Sequence, residues 1–239
     1  MVKKRTGVIG RGTPLSVFEP HANSRKCVLL GAGGHAKVVV DALKSRDLKI
    51  DGVVAPELAN DHSFWRGLKV LGDDDWLIGQ EPKEFILLNG VGGLPGNCLR
   101  QSLFDRFKSA GFEFQTVIHP NTTIGSEVTL GEGSQIMAGV VLQVGSHIGD
   151  NTIINTGATV DHDCQIGKSV HIAPGVNVSG EVVIEDEVHL GTGASVIQGV
   201  TIGVRSIVGA GTVVVQSLPM ASKVVGPKPR LTVIGGRSQ

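Results

Sequence analysis

Tyrosine is absent from the 239 residues and only 4% are aromatic, as expected of thin strands around a narrow core. Three cysteines, Cys27, Cys98 and Cys164, form no C-x-x-C pair. An odd number leaves no complete disulfide framework, and the spacing suits no metal, so a reducing, cytoplasmic setting is expected. No apolar run approaches the roughly 18 residues of a membrane-spanning helix, and the basic start Met1-Val2-Lys3-Lys4-Arg5 leads into no apolar stretch of signal-peptide type. Excess charge is lacking as well: 22 basic residues stand against 22 acidic ones. Neither nucleic acid nor a membrane is an expected partner.

Glycine is abundant, 34 residues, and it accompanies a period. From Ile118 to Val214 every sixth residue is Ile, Leu or Val, sixteen steps without a slip. Small or β-branched residues stand two positions before these aliphatics, as at Val128, Ser134 and Ala158, and glycine often follows them, as at Gly125, Gly131, Gly149 and Gly167. A period of six fits neither an amphipathic helix nor plain alternation; it is the pattern of a parallel β-helix. Three hexads make one coil, so residues 18 apart stack at about 4.8 Å, and the glycines read as corners that need unusual backbone angles.

The chain before the repeats reads differently. Residues 1–24, rich in Gly, Pro, Ser and Arg, have no hydrophobic period and are expected to form a disordered tail. From Lys26 a buried strand, the turn Gly31-Ala32-Gly33-Gly34-His35-Ala36 and a helix follow. Further strands are expected at Ile50–Val54, Phe85–Asn89 and Glu113–Val117, with a helix start near Asp73–Asp75 and a helix from Cys98 to Ala110. This predicts a small Rossmann-like α/β domain over residues 25–115, one half of a dinucleotide fold. A nucleotide or nucleotide sugar suits it better than NAD, with His35 at the helix start and Asn89 at a strand end as contacts. The β-helix would cover 116–225, and a C-terminal tail 226–239.

Polar residues interrupt the repeats around Asn155, Asp161, His162, Asp163 and His171. His162 is flanked by two carboxylates, and the position one coil above it is Gly180, a predicted notch beside the ring. His162 and His171 lie half a coil apart, on different faces, so a trimer could join them across an interface. His147 reads as a coil corner, and His189 as a ladder partner of His171. Cys164 occupies an inward position and reads as packing. No His-x-His or His-Glu-x-x-His spacing appears, and no metal is expected.

Four segments carry a resemblance: Gly31-Ala-Gly-Gly-His35-Ala-Lys37-Val-Val, Val117-Ile-His-Pro120, Ile154-Asn155-Thr-Gly-Ala-Thr-Val-Asp-His162-Asp163-Cys164, and His171 through Gly180. With them the chain resembles the two-domain bacterial sugar acetyltransferases, which include sialic acid O-acetyltransferases and UDP-amino-sugar N-acetyltransferases. The resemblance covers about residues 26–225. It implies a left-handed β-helix, a homotrimer, acetyl-CoA as co-substrate, and a role in cell-surface glycan biosynthesis. It further implies His162 as general base, Asp163 as the carboxylate holding its ring, and His171, Gly180 and Gly191 on the acetyl-CoA side, with the Gly180 amide facing the thioester oxygen. Gly33, Gly34, His35 and Lys37 would hold the nucleotide, and Asn155 would line the acceptor site. The chain departs from the family pattern at Ala55-Pro56, where acidic residues are common, and at Gly226-Pro227-Lys228-Pro229-Arg230.

Such a site suits direct transfer, since a thioester is already activated and needs only positioning, a base and an oxyanion donor. Two other readings use the same residues differently: a non-catalytic nucleotide-sugar-binding trimer, and a metal enzyme of γ-carbonic-anhydrase type.

Overall fold

The computed structural model describes residues 25–44, 48–60 and 63–227. The segment 1–24 and residues 228–239, which hold most of the expected C-terminal tail, lie outside the described residues. An α/β domain precedes a three-faced solenoid of parallel strands.

In the first domain β1 (Lys26–Leu30) lies between β2 (Gly52–Val54) and β5 (Phe85–Asn89), parallel to both. The sheet continues through β4 (Leu68–Gly72) to the edge strand β3 (Phe64–Trp65), in the order β3-β4-β2-β1-β5. The last two form a short antiparallel pair that the sequence pattern did not reveal. Helix α1 (Gly34–Lys44) covers one face, where Leu29, Val39, Val53 and Leu88 are buried with Val117 and Met137 of the solenoid. Helix α3 (Leu99–Ser109) covers the other. The few aromatics gather there: Phe85, Phe104, Phe107, Phe112 and Phe114 share one cluster. Helix α2 (Asp74–Ile78) begins where expected, because the Asp73 carboxylate accepts the Trp76 N–H at 2.8 Å. The expected strand at Glu113–Val117 reduces to a bridge between Phe114 and Leu87.

The solenoid runs from β6 (Val117–Ile118) to β23 (Lys223–Val224), each strand two residues long. The second residue of every strand from β6 to β22 (Val213–Val214) is a member of the six-residue series, and from Leu130 onward all are buried. Register fixes the stacking: Ile154 pairs with Ile136 below and Ile172 above, 18 residues either way. The last coil breaks the rule, for Leu218 bridges Ile202 and Val224 pairs Val208, each only 16 residues on.

The glycine reading needs correction. From Ile124 to Val208 the left-handed backbone falls three residues after each aliphatic, and at that position Glu127, Asn151, Asp163, Ser169, Glu181, Glu187 and Arg205 adopt it with φ of 52–60°. The glycines directly after the aliphatics have ordinary φ. A Cβ on Gly131 would lie 2.4 Å from the Asp150 nitrogen of the next coil, so they are small because the coils pack closely there.

The two domains meet on the seven-stranded face. Its outward column reads Val117, Gln135, Ile153, His171, His189, Ile207 and Lys223. The first three are fully buried under the α/β domain, His171 and His189 are half-buried, and Lys223 is exposed. Arg100 is buried in the joint. Its Nε donates to Asn151 O at 3.0 Å, and its Nη1 to Asn89 O at 3.0 Å and Val91 O at 2.7 Å.

Truncating an interior aliphatic leaves a cavity between rigid coils. Ile154→Ala should cost about 2–5 kcal/mol in urea unfolding, whereas Asp41→Ala on the exposed side of α1 should change stability by less than about 0.5 kcal/mol.

Candidate active site

His162 sits in the turn between β13 (Thr159–Val160) and β14 (Gln165–Ile166), at the corner opposite the face that carries the α/β domain. The left-handed residue of that turn is Asp163, which brings its carboxylate 2.9 Å from His162 Nδ1. Nδ1 is thereby the donor, and a neutral ring keeps its lone pair on Nε2. That nitrogen lies over Gly180, where a Cβ would come within 2.5 Å of it. The stacking expected from the 18-residue spacing is present. The hydrogen bond to Asp163 raises the His162 pKa, and the charges of Asp161 and Glu181 add to it. Cys164, directly after, is buried and donates to Ser179 O, and burial pushes its thiol up to about 11, which fits the packing role expected of it and disfavours the thiolate.

A cavity of about 760 Å³ opens between the α/β domain and the solenoid. Its walls include the turn Gly31–Gly34, His35, Glu57, Asp74, the loop Gly90–Leu94, and Asn155 and His171 of the solenoid. The strands β4, β2, β1 and β5 all point their carboxyl ends here, and α1 starts here with no acidic residue in its first turn. The turn amides suit an anion.

Of the residues expected at a nucleotide, the structure brings Gly33, Gly34 and His35 to the cavity, together with Asn155. Lys37 is exposed and outside its walls. Asn89 is a correction. It is 1% exposed, its amide donates to Arg100 O and Asn151 Oδ1 at 3.1 Å each, and its oxygen accepts from Val91 N. Nothing of it is left for a ligand. His35 serves the joint as well as the cavity, since its Nε2 lies 2.6 Å from Gln135 Oε1 and must carry the proton.

His171 also lines this cavity, on the strand β15 (His171–Ile172), and it stacks on His189 with centroids 4.8 Å apart. Its Nδ1 makes no hydrogen bond within the described residues. The link Gly90–Gly93 packs against His35 and the His171 ring: a Cβ on Gly92 would lie 3.2 Å from His35 Cβ, and one on Gly93 would lie 2.5 Å from His171 Nδ1. Sequence reasoning missed this contact, along with Arg100, Glu57 and Asp74, although the glycine run was visible. Gly191 lies next to Ala210 of the following coil, where a Cβ would not fit. His147 is a correction: it stands in β11 (His147–Ile148), hydrogen-bonded to Thr129, and not at a corner. Among the described residues no group of three or more His, Cys, Asp or Glu is placed to hold a metal ion, and no helix is long and apolar enough to cross a membrane.

Comparison with known proteins follows the domain order. Residues 26–107 match the PglD N-terminal domain, 145–180 the bacterial transferase hexapeptide, and 181–216 the hexapeptide repeat of succinyl-transferase. No curated protein sequence matches the chain significantly. Among solved structures, PerB from Caulobacter crescentus in complex with CoA and GDP-perosamine is 39% identical over 84% of this chain and 94% of its own, with TM-score 0.77. The acetyltransferase domain of PglB from Neisseria gonorrhoeae FA1090 in complex with acetyl coenzyme A is 34% identical over 85% and 97%, with TM-score 0.76. WeeI from Acinetobacter baumannii AYE is 29% identical over 84% and 97%, with TM-score 0.75. The solenoid is accordingly a left-handed β-helix.

The histidines of the joint make stability depend on pH. Burial, chiefly, lowers His35 from 6.5 to about 4 and His171 to about 3. Between about 3 and 6.5 the unfolded chain binds protons that the folded chain refuses, so this stability is complete above 6.5 and is lost as pH falls through that window. Urea midpoints should decline from pH 7 to pH 4, and a His35→Gln, His171→Asn double variant should show a flatter decline.

Proposed function

The chain belongs to the bacterial sugar acetyltransferase family and is an acetyl-CoA-dependent acyltransferase, and from that premise we propose that it acetylates the amine of a nucleotide-linked amino sugar, with His162 as general base. The observation that carries the assignment is His162 itself, with Asp163 on Nδ1 and an unencumbered Nε2 over the backbone of Gly180. Nε2 takes the proton from the attacking nitrogen as the bond to the acetyl carbon forms, and the thiolate of CoA leaves. Asp163 fixes the tautomer and supports the imidazolium. The Gly180 N–H is our candidate for the oxyanion donor.

An amine acceptor is supported by the Caulobacter relative, which was solved with CoA and GDP-perosamine. A trimer is supported by the position of the two half-sites: the cavity with Asn155 and His171 lies across the prism from the same chain's His162. One chain cannot bring them together, and a neighbouring copy can. In that arrangement the α/β domain holds the nucleotide of the acceptor, and His171 stands where sugar and acetyl group meet. In this reading residues 25–115 and 116–225 are the two working units. A place in cell-surface glycan assembly follows from the family resemblance.

His162→Ala should lower kcat by roughly 10²- to 10⁴-fold in a thiol-release assay with nucleotide-linked amino sugars, with acetyl-CoA affinity nearly unchanged. Asp163→Asn should cost less and should shift the acid limb of the pH profile downward, since Asp163 is the chief cause of the raised His162 pKa. Wild-type turnover by His162→Ala would remove it as the base. Sedimentation equilibrium should give three chains per particle at micromolar concentration, and a monomer there would refute the shared site.

A further inference from the structure

We propose that the base end of the cavity selects guanine and that Asp74 is the residue that reads it. The inference rests on the nucleotide-linked acceptor proposed above. In an open parallel sheet a ligand lies across the carboxyl ends of the strands. Here those ends follow one another as β4, β2, β1, β5. The turn that offers backbone amides to the diphosphate comes after β1, at the middle of the row. The loop after β5 lies on His171 of the solenoid, so the sugar extends to that side. The base is sent the other way, over the ends of β2 and β4, about two strand spacings of 4.8 Å from the turn. Glu57 follows β2 there and Asp74 follows β4, and both line the cavity.

Among the described residues lining the cavity none is Lys or Arg. Glu57, three residues past the end of β2, is the cavity acid nearest the place from which ribose hydroxyls are read in nucleotide-binding sheets. That assigns the base to Asp74. Its side chain is 21% exposed, and Arg106 holds its Oδ2 at 3.3 Å, which fixes the carboxylate in place. A carboxylate only accepts hydrogen bonds. Guanine offers two adjacent donors, N1–H and the 2-amino group, and fits it in a paired contact. Uracil sets N3–H between two carbonyl oxygens, while cytosine and adenine set an amino group beside a ring acceptor. Each of these three turns an acceptor toward a carboxylate oxygen. Burial raises the Asp74 pKa, against the pull of Arg106, so a ligand bringing two donors replaces hydration that this carboxylate has lost.

Calorimetric titration of the full chain with GDP, UDP, CDP and ADP tests the assignment. GDP should bind more tightly than each of the others by about 10- to 100-fold, and Asp74→Asn should remove that margin. Asp75→Asn removes the other Arg106 partner, an 88% exposed carboxylate outside the cavity, and should leave the margin intact, which separates base reading from the ion pair. Glu57→Gln should weaken all four diphosphates alike. Equal binding of UDP, CDP or ADP by the wild type, or a margin retained by a folded Asp74→Asn variant, would overturn the proposal. If a UDP-linked amino sugar then still released thiol from acetyl-CoA, the acyl-transfer reading would stand without it. A chain that bound none of the four and released no thiol with any nucleotide sugar would lose both.

Discussion

A guanidinium sealed between two domains governs how this chain presents its chemistry. Arg100 keeps its charge even though burial lowers its pKa to about 9, so it must be met by acceptors. It finds three carbonyls: those of Asn89 and Val91 from the α/β domain and that of Asn151 from the solenoid. Asn89, Asn151, Gln135 and His35 extend the network. Separating the domains would strand each of these groups, and an unmet buried charge costs far more than the bonds are worth in isolation. The loop over His171 is therefore held, and with it the wall of the cavity.

The histidines divide by environment. His162 is open to water and backed by carboxylates, which favour its charged form. His35 and His171 lie near Arg100 in a desolvated joint, which favours their neutral form. One residue type thus supplies a proton acceptor at the corner and uncharged rings at the cavity, and only position decides which.

Much of this was legible in the sequence, because a solenoid converts distance along the chain into position in space. The spacing of 18 located Gly180 over His162 and His189 over His171 with no further information. The same arithmetic could not say why each small residue was small. The left-handed turn position accepts Glu, Asp, Asn, Ser and Arg as well as Gly, so composition conceals it, while the visible glycines answer to the crowding of the next coil. The α/β elements were legible from their apolar runs, apart from the short strand pair β3–β4. The docking of one domain on the other was not. Asn89 read as a ligand contact because it ends a strand, and only the position of Arg100 and Asn151 reveals that its amide is already committed. Gln135, an outward residue like its neighbours in the column, carried no signal of the joint.

The shortened last coil bears on how copies of the molecule behave at high concentration. A stack of identical layers with a free upper rim is a template for end-to-end polymerisation, the geometry of a fibre. Here the final layer arrives two residues early, so the register of 18 that a second molecule would need to continue is lost at Leu218 and Val224. Pro219 in that layer has no N–H to offer a further strand, and Lys223 stands charged on its rim. Among the described residues, the repeat that makes the interior so regular is thereby broken in its own last turn, which disfavours its continuation by a second molecule.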